Sequence, residues 1–299
     1  MDPARAPARR REGVSAPATL DAARVGHDGT LRLGLERRGG ATVVARCRFT
    51  LPLQVLAPLA LDDPAVIVSI LNPTGGLVGG DRLSIDVAAG ADAHAVLTTP
   101  SATRVYRTDG DPATQTVRLR LGPRAVVEWV PDQTIPFAGS AFRQAIDVEM
   151  DENAGLVLVD AFSAGRIARG EAWRFTLLES AVSVRDRHGW LLRDRFVLRQ
   201  GSAPDQPRWD GLGLAESHAY LASVAVLGSF DETRFAADVA RRAAECGDVQ
   251  VGVAQLARGG ALVRCLARGA PGLGQVVDQV WAAARAALLG LPPLALRKP

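Results

Sequence analysis

Residues 117–159 read VRLRLGPRAVVEWVPDQTIPFAGSAFRQAIDVEMDENAGLVLV, and two strand patterns alternate within them. In the first pattern, apolar and polar residues alternate, as at 117–121, which is typical of a strand with one buried face. The second pattern is a short apolar run, as at 156–159, which is typical of a strand buried on both faces. Gly, Asp or Pro interrupts the patterns roughly every ten residues. These residues therefore predict short strands joined by frequent turns.

The same patterns extend outward over residues 31–199, and turn residues separate them throughout. No segment of this region shows a convincing helical period. We therefore expect a mainly β fold, β-helical or built of stacked sheets of short strands. We assign it to a single domain over residues 21–299.

The last third of the chain has a different pattern, because helical periods appear there. Asp231 can cap a helix whose apolar face carries Phe235 and Val239. A second helix is predicted around residues 274–289, and alternation at 249–253 predicts a strand between the two. We therefore expect about two C-terminal α-helices beside the β structure.

The charged residues exclude several classes of function. The chain has 299 residues and a formal net charge of +3, and all but one of its 35 basic residues are arginine. The single lysine, Lys298, leaves no residue for a P-loop, a pyridoxal phosphate Schiff base or a kinase ATP site. Part of the positive charge lies in residues 1–20, an Arg-, Pro- and Ala-rich leader that we expect to be disordered. The remainder is nearly neutral, so we expect no nucleic-acid partner.

Hydropathy and cysteine usage indicate the compartment. No apolar run approaches the roughly 18 residues that a membrane span needs, so we expect no membrane partner. The three cysteines, Cys47, Cys246 and Cys265, are distant in sequence and odd in number. Such cysteines favour free thiols over a disulfide framework. We therefore expect a cytoplasmic protein.

Histidines and cysteines show none of the spacings of a preformed metal site. The four histidines, His27, His94, His188 and His218, lie far apart, and no CxxC pair occurs. His94 lies in a strand-like segment, where we expect a hydrogen-bonded core histidine. We therefore expect no tightly bound cofactor or metal.

One segment approximates a nucleophile elbow. Residues 161–165, AFSAG, place Ser163 where the G-x-S-x-G motif has its serine. The elbow requires a strand before the serine and a helix after it. A strand is plausible before Ser163, but the following residues predict a turn and another strand. A serine hydrolase is therefore an alternative hypothesis for the function and not the main one.

Two features are harder to explain as ordinary strands and turns. Residues 72–81, NPTGGLVGGD, contain four glycines within six positions and predict a convoluted loop between two strands. In addition, Glu128 and Asp160 lie within apolar strands, and Arg166 and Glu171 follow closely. A buried carboxylate is costly unless it is paired, so a structural arginine–carboxylate network is one interpretation. The other is a polar, oxygen-lined interior through which water or a cation could pass.

Four blocks in this order, ILNPTGGLVGGDRLSIDV, LTTPSATRVYRTDG, EWVPDQTIPFAGS and GRIARGEAW, resemble the urease accessory protein D family, also called the H type. The resemblance covers roughly residues 25–290. It implies an all-β, β-helical stack with a few C-terminal helices. Two segments depart from the family pattern: Asn72-Pro73-Thr74 stands where relatives usually begin with His-Pro-Pro, and the C-terminus lacks a Pro-Arg-Ile-Trp-like ending.

The resemblance also implies which positions form the partner-binding or structural motif. Beyond Asn72 and Pro73, these are Gly75, Gly76, Gly79, Gly80, Asp81, Thr98, Thr99, Arg104, Tyr106, Trp129 and Arg166. Weak oxygen ligands suit a nickel ion that must be passed on, because a tight His or Cys site would retain it. The candidates for such a transient nickel route are Asp81, Glu128, Asp160 and Glu171.

By this resemblance the protein is a non-enzymatic scaffold that binds apo-urease with accessory proteins F and G. The G partner is the GTPase, and the assembly inserts nickel into the urease active site. Two other classes stay open from the residues themselves. One is the serine hydrolase with Ser163, and the other is a metal-independent β-type binding module.

Overall fold

A computed structural model describes residues 26–60, 63–200 and 215–296. Within them the chain forms eighteen strands and two α-helices. The strands are β1 (Asp28–Arg38), β2 (Ala41–Phe49), β3 (Gln54–Val55), β4 (Leu59–Ala60), β5 (Val66–Leu71), β6 (Arg82–Ala89), β7 (His94–Thr98), β8 (Thr103–Val105), β9 (Ala113–Leu121), β10 (Val126–Trp129), β11 (Thr134–Pro136), β12 (Ala141–Met150), β13 (Gly155–Ser163), β14 (Leu177–Asp186), β15 (Gly189–Arg199), β16 (Tyr220–Leu227), β17 (Val249–Gln255) and β18 (Ala261–Ala267). The helices are α1 (Glu232–Ala243) and α2 (Ala270–Ala284). The expected leader, residues 1–20, lies outside the described residues.

The strands form two stacked sheets. The seven-stranded sheet has the order β15-β14-β12-β9-β6-β1-β2, and the eleven-stranded sheet has the main path β17-β18-β16-β13-β10-β7-β5-β3. From β5 to β14 the chain alternates between the sheets, so that β6, β9, β12 and β14 are parallel neighbours in one. In the other, β5, β7, β10 and β13 are parallel neighbours. This solenoid-like stack confirms the mainly β, stacked-sheet prediction.

The burial of each sheet follows its sequence pattern. In β9 and β12 buried and more exposed residues alternate, because one face packs inward and the other meets solvent. All nine residues of β13 are buried, because the other sheet covers one face and the helices cover the other. The prediction of one buried face for residues 117–121 and of two buried faces for residues 156–159 is therefore confirmed.

The helices lie on the outer face of the eleven-stranded sheet, and α2 contacts β13, β16 and β18. Asp231 caps α1 as predicted, with its side chain accepting from the Arg234 N–H at 2.9 Å. The second helix begins at Ala270, earlier than predicted, because Pro271 suits the first turn of a helix. It continues past Ala284 as a π-helical turn, Arg285–Leu289. Among the described residues, no helix is long and apolar enough to span a bilayer.

Candidate functional site

A cavity of about 170 Å³ lies between the two sheets. Asp160 of β13 reaches it from the eleven-stranded sheet, and Gln115 and Gln144 reach it from the seven-stranded sheet. Three of the four sequence blocks also contribute to its lining, through Asn72, Gly75, Gly76, Thr99, Arg104 and Trp129. The fold thus brings separate blocks together around one buried carboxylate.

The Asp160 carboxylate accepts its hydrogen bonds from neutral side chains. Gln144 Nε2 donates to Oδ1 at 2.7 Å, and Ser180 Oγ donates to Oδ2 at 2.7 Å. The residue is only 7% exposed. Burial raises the pKa of Asp160 to about 6, although these two hydrogen bonds lower it in part. With this pKa, Asp160 exchanges its proton near pH 6 and not near pH 4 as an exposed aspartate does.

The partners of Asp160 were not predicted from the sequence. Gln115, Gln144 and Ser180 occupy one register position on three neighbouring strands, β9, β12 and β14. Gln115 Nε2 also donates to Gln144 Oε1 at 2.9 Å, so the row is continuous. The sequence did contain a signal for two of them, because Gln144 and Ser180 are polar residues at inward positions of strands whose other inward residues are apolar.

Glu128 is fully buried on the opposite face of the same sheet, beneath α2. Arg285 Nη1 donates to its Oε1 at 2.6 Å, and Trp281 Nε1 donates to its Oε2 at 2.5 Å. His94 Nε2 donates to Oε1 at 2.7 Å, which agrees with the hydrogen-bonded core histidine expected at this position. Arg285 also pairs with Asp63, so its charge is shared between two carboxylates. This network fastens α2 to β10 and β7.

The Gly-rich loop packs against the second block, and the glycines allow that approach. A Cβ on Gly76 would lie 2.6 Å from the Arg104 carbonyl oxygen, so a larger residue cannot fit there without a shift. Tyr106 Oη donates to the Gly75 carbonyl at 3.2 Å, and Asn72 Nδ2 donates to the Gly76 carbonyl at 3.1 Å. The loop is convoluted and joins β5 to β6, as predicted.

Asp81 closes this loop and does not reach the cavity lining. Its Oδ2 accepts from the Val78 N–H at 2.8 Å, and its Oδ1 accepts from His27 Nδ1 at 2.6 Å. The loop includes Gly79 and Gly80, and the Gly80 N–H donates to the Asp111 carbonyl at 2.9 Å. These contacts give Asp81 a structural role in the loop.

Thr98 and Thr99 fasten β7 to the next coil of the solenoid. Thr98 Oγ1 donates to the Val130 carbonyl at 2.8 Å, and Thr99 Oγ1 accepts from the Asp132 N–H at 2.9 Å. The link holds the third block, which carries Trp129, in register with the second.

Phe137 joins the second, third and fourth blocks. Tyr106 meets its ring edge-on with centroids 5.0 Å apart, and the Arg166 guanidinium lies 4.1 Å above the ring centroid. Arg166 pairs with Glu171, whose Oε2 also accepts from the Ala138 N–H at 3.2 Å. The Arg166 guanidinium holds the pKa of Glu171 below its usual range. Phe137 stands within the third block, but aromatic contacts across coils leave no periodic signal.

The four acids that were predicted to line a nickel route therefore lie in four separate environments. Asp160 faces the cavity, Glu128 faces α2, Asp81 closes the Gly-rich loop and Glu171 pairs with Arg166. No group of three or more His, Cys, Asp or Glu residues that could hold a metal ion occurs among the described residues. Of these four acids, Asp160 alone lines the inter-sheet cavity.

Ser163 lacks the surroundings of a catalytic serine. It is 1% exposed, and its hydroxyl donates to the Gly165 carbonyl at 3.2 Å. A three-residue 3₁₀ turn, Ile167–Arg169, follows it where the elbow would need a helix. No histidine hydrogen-bonds to Ser163 within the described part of the chain.

Comparison with known proteins matches the sequence of this chain to one family. The model of the family described as UreD urease accessory protein matches residues 27–299. The chain belongs to this family. The resemblance drawn from the four sequence blocks is confirmed.

Similar UreD family proteins come from several bacteria. Urease accessory protein UreD of Alkalilimnicola ehrlichii is 33% identical over 90% of this chain and 89% of its own length. The protein of that name from Delftia acidovorans is 33% identical over 87% of this chain and 89% of its own. For the one from Deinococcus radiodurans the identity is 34%, over 90% of this chain and 94% of its own.

Proposed function

We propose that this protein acts in urease maturation as a scaffold that makes or breaks no covalent bond itself. The observation that carries the proposal is the match to the UreD family over residues 27–299. In this role the chain binds apo-urease together with accessory proteins F and G, of which G is the GTPase, and assists nickel insertion. We place this assembly in the cytoplasm.

The cavity around Asp160 supports a share in nickel transfer. Its polar lining supplies oxygen and amide groups, and its lining residues include neither Cys nor His. Such ligands hold Ni²⁺ less firmly than imidazole or thiolate, which favours release to the next site. A carboxylate that exchanges its proton near pH 6 can take up a cation in place of that proton. Asp160 is therefore the residue that we propose to contact the metal in transit.

Coexpression of apo-urease with its accessory proteins tests the proposal. We expect urease activity to require this chain, and the Asp160→Ala variant to lower activation without preventing purification of a folded chain. Asp147→Ala is the matched control, because Asp147 lies on the exposed face of β12. Full activation without this chain would favour the metal-independent binding module and would reject the scaffold role.

The remaining acids can be tested in the same system. The Asp81→Ala variant removes a carboxylate that accepts a hydrogen bond within the Gly-rich loop, and Glu171→Ala removes one that forms a partly buried ion pair. Unchanged activation by both would remove these two acids from the transfer mechanism and leave Asp160 and Glu128, of which only Asp160 lines the cavity. A fluorophosphonate label that reacts with the wild type but not with Ser163→Ala would instead favour the hydrolase.

A further inference from the structure

Most of the exposed large hydrophobic residues lie in one short segment of the chain. Of the six large hydrophobic residues that are exposed in the described chain, four lie between residues 49 and 59: Phe49, Leu51, Leu56 and Leu59. Their exposed fractions run from 44% to 55%. Residues 56–60, LAPLA, are apolar and exposed without interruption. A concentrated apolar patch of this kind is typical of an interaction site.

The patch lies beside the edge of the seven-stranded sheet. β2 is the last strand of that sheet, and no described strand pairs with its outer edge. The following residues cross to the other sheet, where β3 and β4 pair with β5. Because β2 and β5 are also in contact, the patch follows the line where both sheets end. A free strand edge offers unpaired backbone N–H and C=O groups to another strand.

The two faces of β2 differ in charge. Cys47 and Phe49 stand opposite Leu33 and Leu31 of β1, so they share the inward, apolar face. Arg46 and Arg48 lie on the outer face. Arg48 stands directly opposite a third arginine, Arg32, and these three make no salt bridge within the described residues. The β2 edge surface is defined here as Arg46, Cys47, Arg48, Phe49, Leu56 and Leu59.

We infer that the β2 edge surface binds an extended segment of a protein partner by strand addition. Side chains of an added strand would alternate between its two faces. Those on the outer face would meet Arg46 and Arg48, and those on the inner face would meet Phe49 and the 56–60 segment. The segment that fits therefore alternates acidic and apolar residues.

Charge argues against two other occupants. A second copy added edge to edge would place its own Arg46 and Arg48 beside those of the first, and such like-charge contacts are costly. Residues 1–25 carry five arginines against three acids, so this part of the chain is repelled as well. The inference goes beyond the urease role and does not depend on it, because the surface is defined by its own charge and exposure.

Cys47 provides a direct test, because it is exposed while Cys246 and Cys265 are buried. The probe is a short peptide of alternating glutamate and valine, and its control is the same peptide with lysine for glutamate. We expect the glutamate peptide to slow alkylation of Cys47 by iodoacetamide in the full chain, and the lysine peptide to leave the rate unchanged. Proline in place of the central valine should abolish protection, because it removes a backbone donor.

Variants separate the contributions of charge and apolar contact. We expect the paired substitution Arg46→Glu and Arg48→Glu to weaken binding of the glutamate peptide about tenfold. The same variant should bind the lysine peptide better than the wild type does. Leu56→Ser with Leu59→Ser should also weaken binding of the glutamate peptide, because it removes the apolar contacts and leaves both arginines in place. Arg120→Glu is the matched control on the exposed face of β9 and should change nothing.

Three results would overturn the inference. The first is equal protection of Cys47 by both peptides. The second is no protection by the glutamate peptide at millimolar concentration. The third is alkylation of Cys47 in the free chain as slow as that of the buried thiols, which would show that residues 1–25 or a second copy already cover the edge.

Discussion

Glu128 and Asp160 are buried carboxylates in parallel strands of one sheet, yet their surroundings differ in kind. Glu128 faces α2 and accepts from a guanidinium, an indole N–H and an imidazole. Asp160 faces the other sheet and accepts only from an amide and a hydroxyl. The first carboxylate has an arginine in direct contact. The second has none among its hydrogen-bond donors, and the two charges that act on it, Arg264 and Asp194, shift its pKa in opposite directions.

The difference separates a structural site from a chemically responsive one. A buried charge with an arginine partner holds elements together, and it becomes very costly when the partner is removed. A buried carboxylate with neutral partners shifts its pKa instead, as Asp160 does. We therefore infer that the face of the sheet with Asp160 serves the function of the protein, and that the face with Glu128 stabilises its fold.

The largest expected effect comes from breaking the Glu128 network. We expect Arg285→Ala to lower the free energy of unfolding by about 3–5 kcal/mol, because Glu128 and Asp63 lose their cation while still buried. Urea unfolding monitored by tryptophan fluorescence measures this. Arg258→Ala is the control: its pair with Asp186 is partly exposed, so a loss of at most about 1 kcal/mol is expected. Equal losses in the two variants would contradict the distinction.

A smaller, pH-dependent effect is expected at Asp160. Its pKa is raised from 3.8 to about 6, so the folded chain binds this proton more tightly than the unfolded chain. The stabilisation from that proton is complete below pH 3.8 and is lost as the pH rises through about 6. We therefore expect Asp160→Asn to be more stable than the wild type at pH 8, by at most about 3 kcal/mol. Near pH 4 the two should be similar.

Urea unfolding of the wild type and Asp160→Asn at both pH values checks this. Asp147→Asn is the matched control, because it makes the same substitution on the exposed face of β12. If Asp160→Asn differed from the wild type by the same amount at both pH values, the carboxylate would not titrate in this window.

The smallest effect on stability is expected from removing one of the neutral side chains that donate hydrogen bonds to Asp160. Ser180→Ala removes the donor to Oδ2 and should cost about 1 kcal/mol at pH 8, where the carboxylate is charged. The pKa of Asp160 should rise further, which the pH dependence of unfolding would reveal. Ser183→Ala, on the more exposed face of β14, should leave that pH dependence unchanged.

Much of the fold was predictable because strand patterns are local. Alternation at 117–121 and the apolar run at 156–159 indicated which strands have one buried face and which have two. The cap at Asp231 was predictable for the same reason, since a helix end is determined by a few neighbouring residues. The second helix was placed less well, because its first turn carries Pro271 and little apolar period.

The candidate site was only half predictable. Glu128 and Asp160 stand out as acids within apolar strands, and an arginine partner was expected for such acids. That partner is Arg285 for Glu128, more than a hundred residues away, while Asp160 has none among its hydrogen-bond donors. Contacts between distant strands leave no pattern in a single sequence.

The amino-acid sequence by itself determined the β class, the turns, the helix cap and the family, because each depends on short-range periodicity or on motifs read directly. Tertiary structure alone decided that Gln115, Gln144 and Ser180 share one register row and that Arg285 reaches Glu128. The physical reason is that burial and pairing depend on which distant strands and helices meet. These contacts determine which buried acid has an arginine partner and which has a pKa raised to about 6.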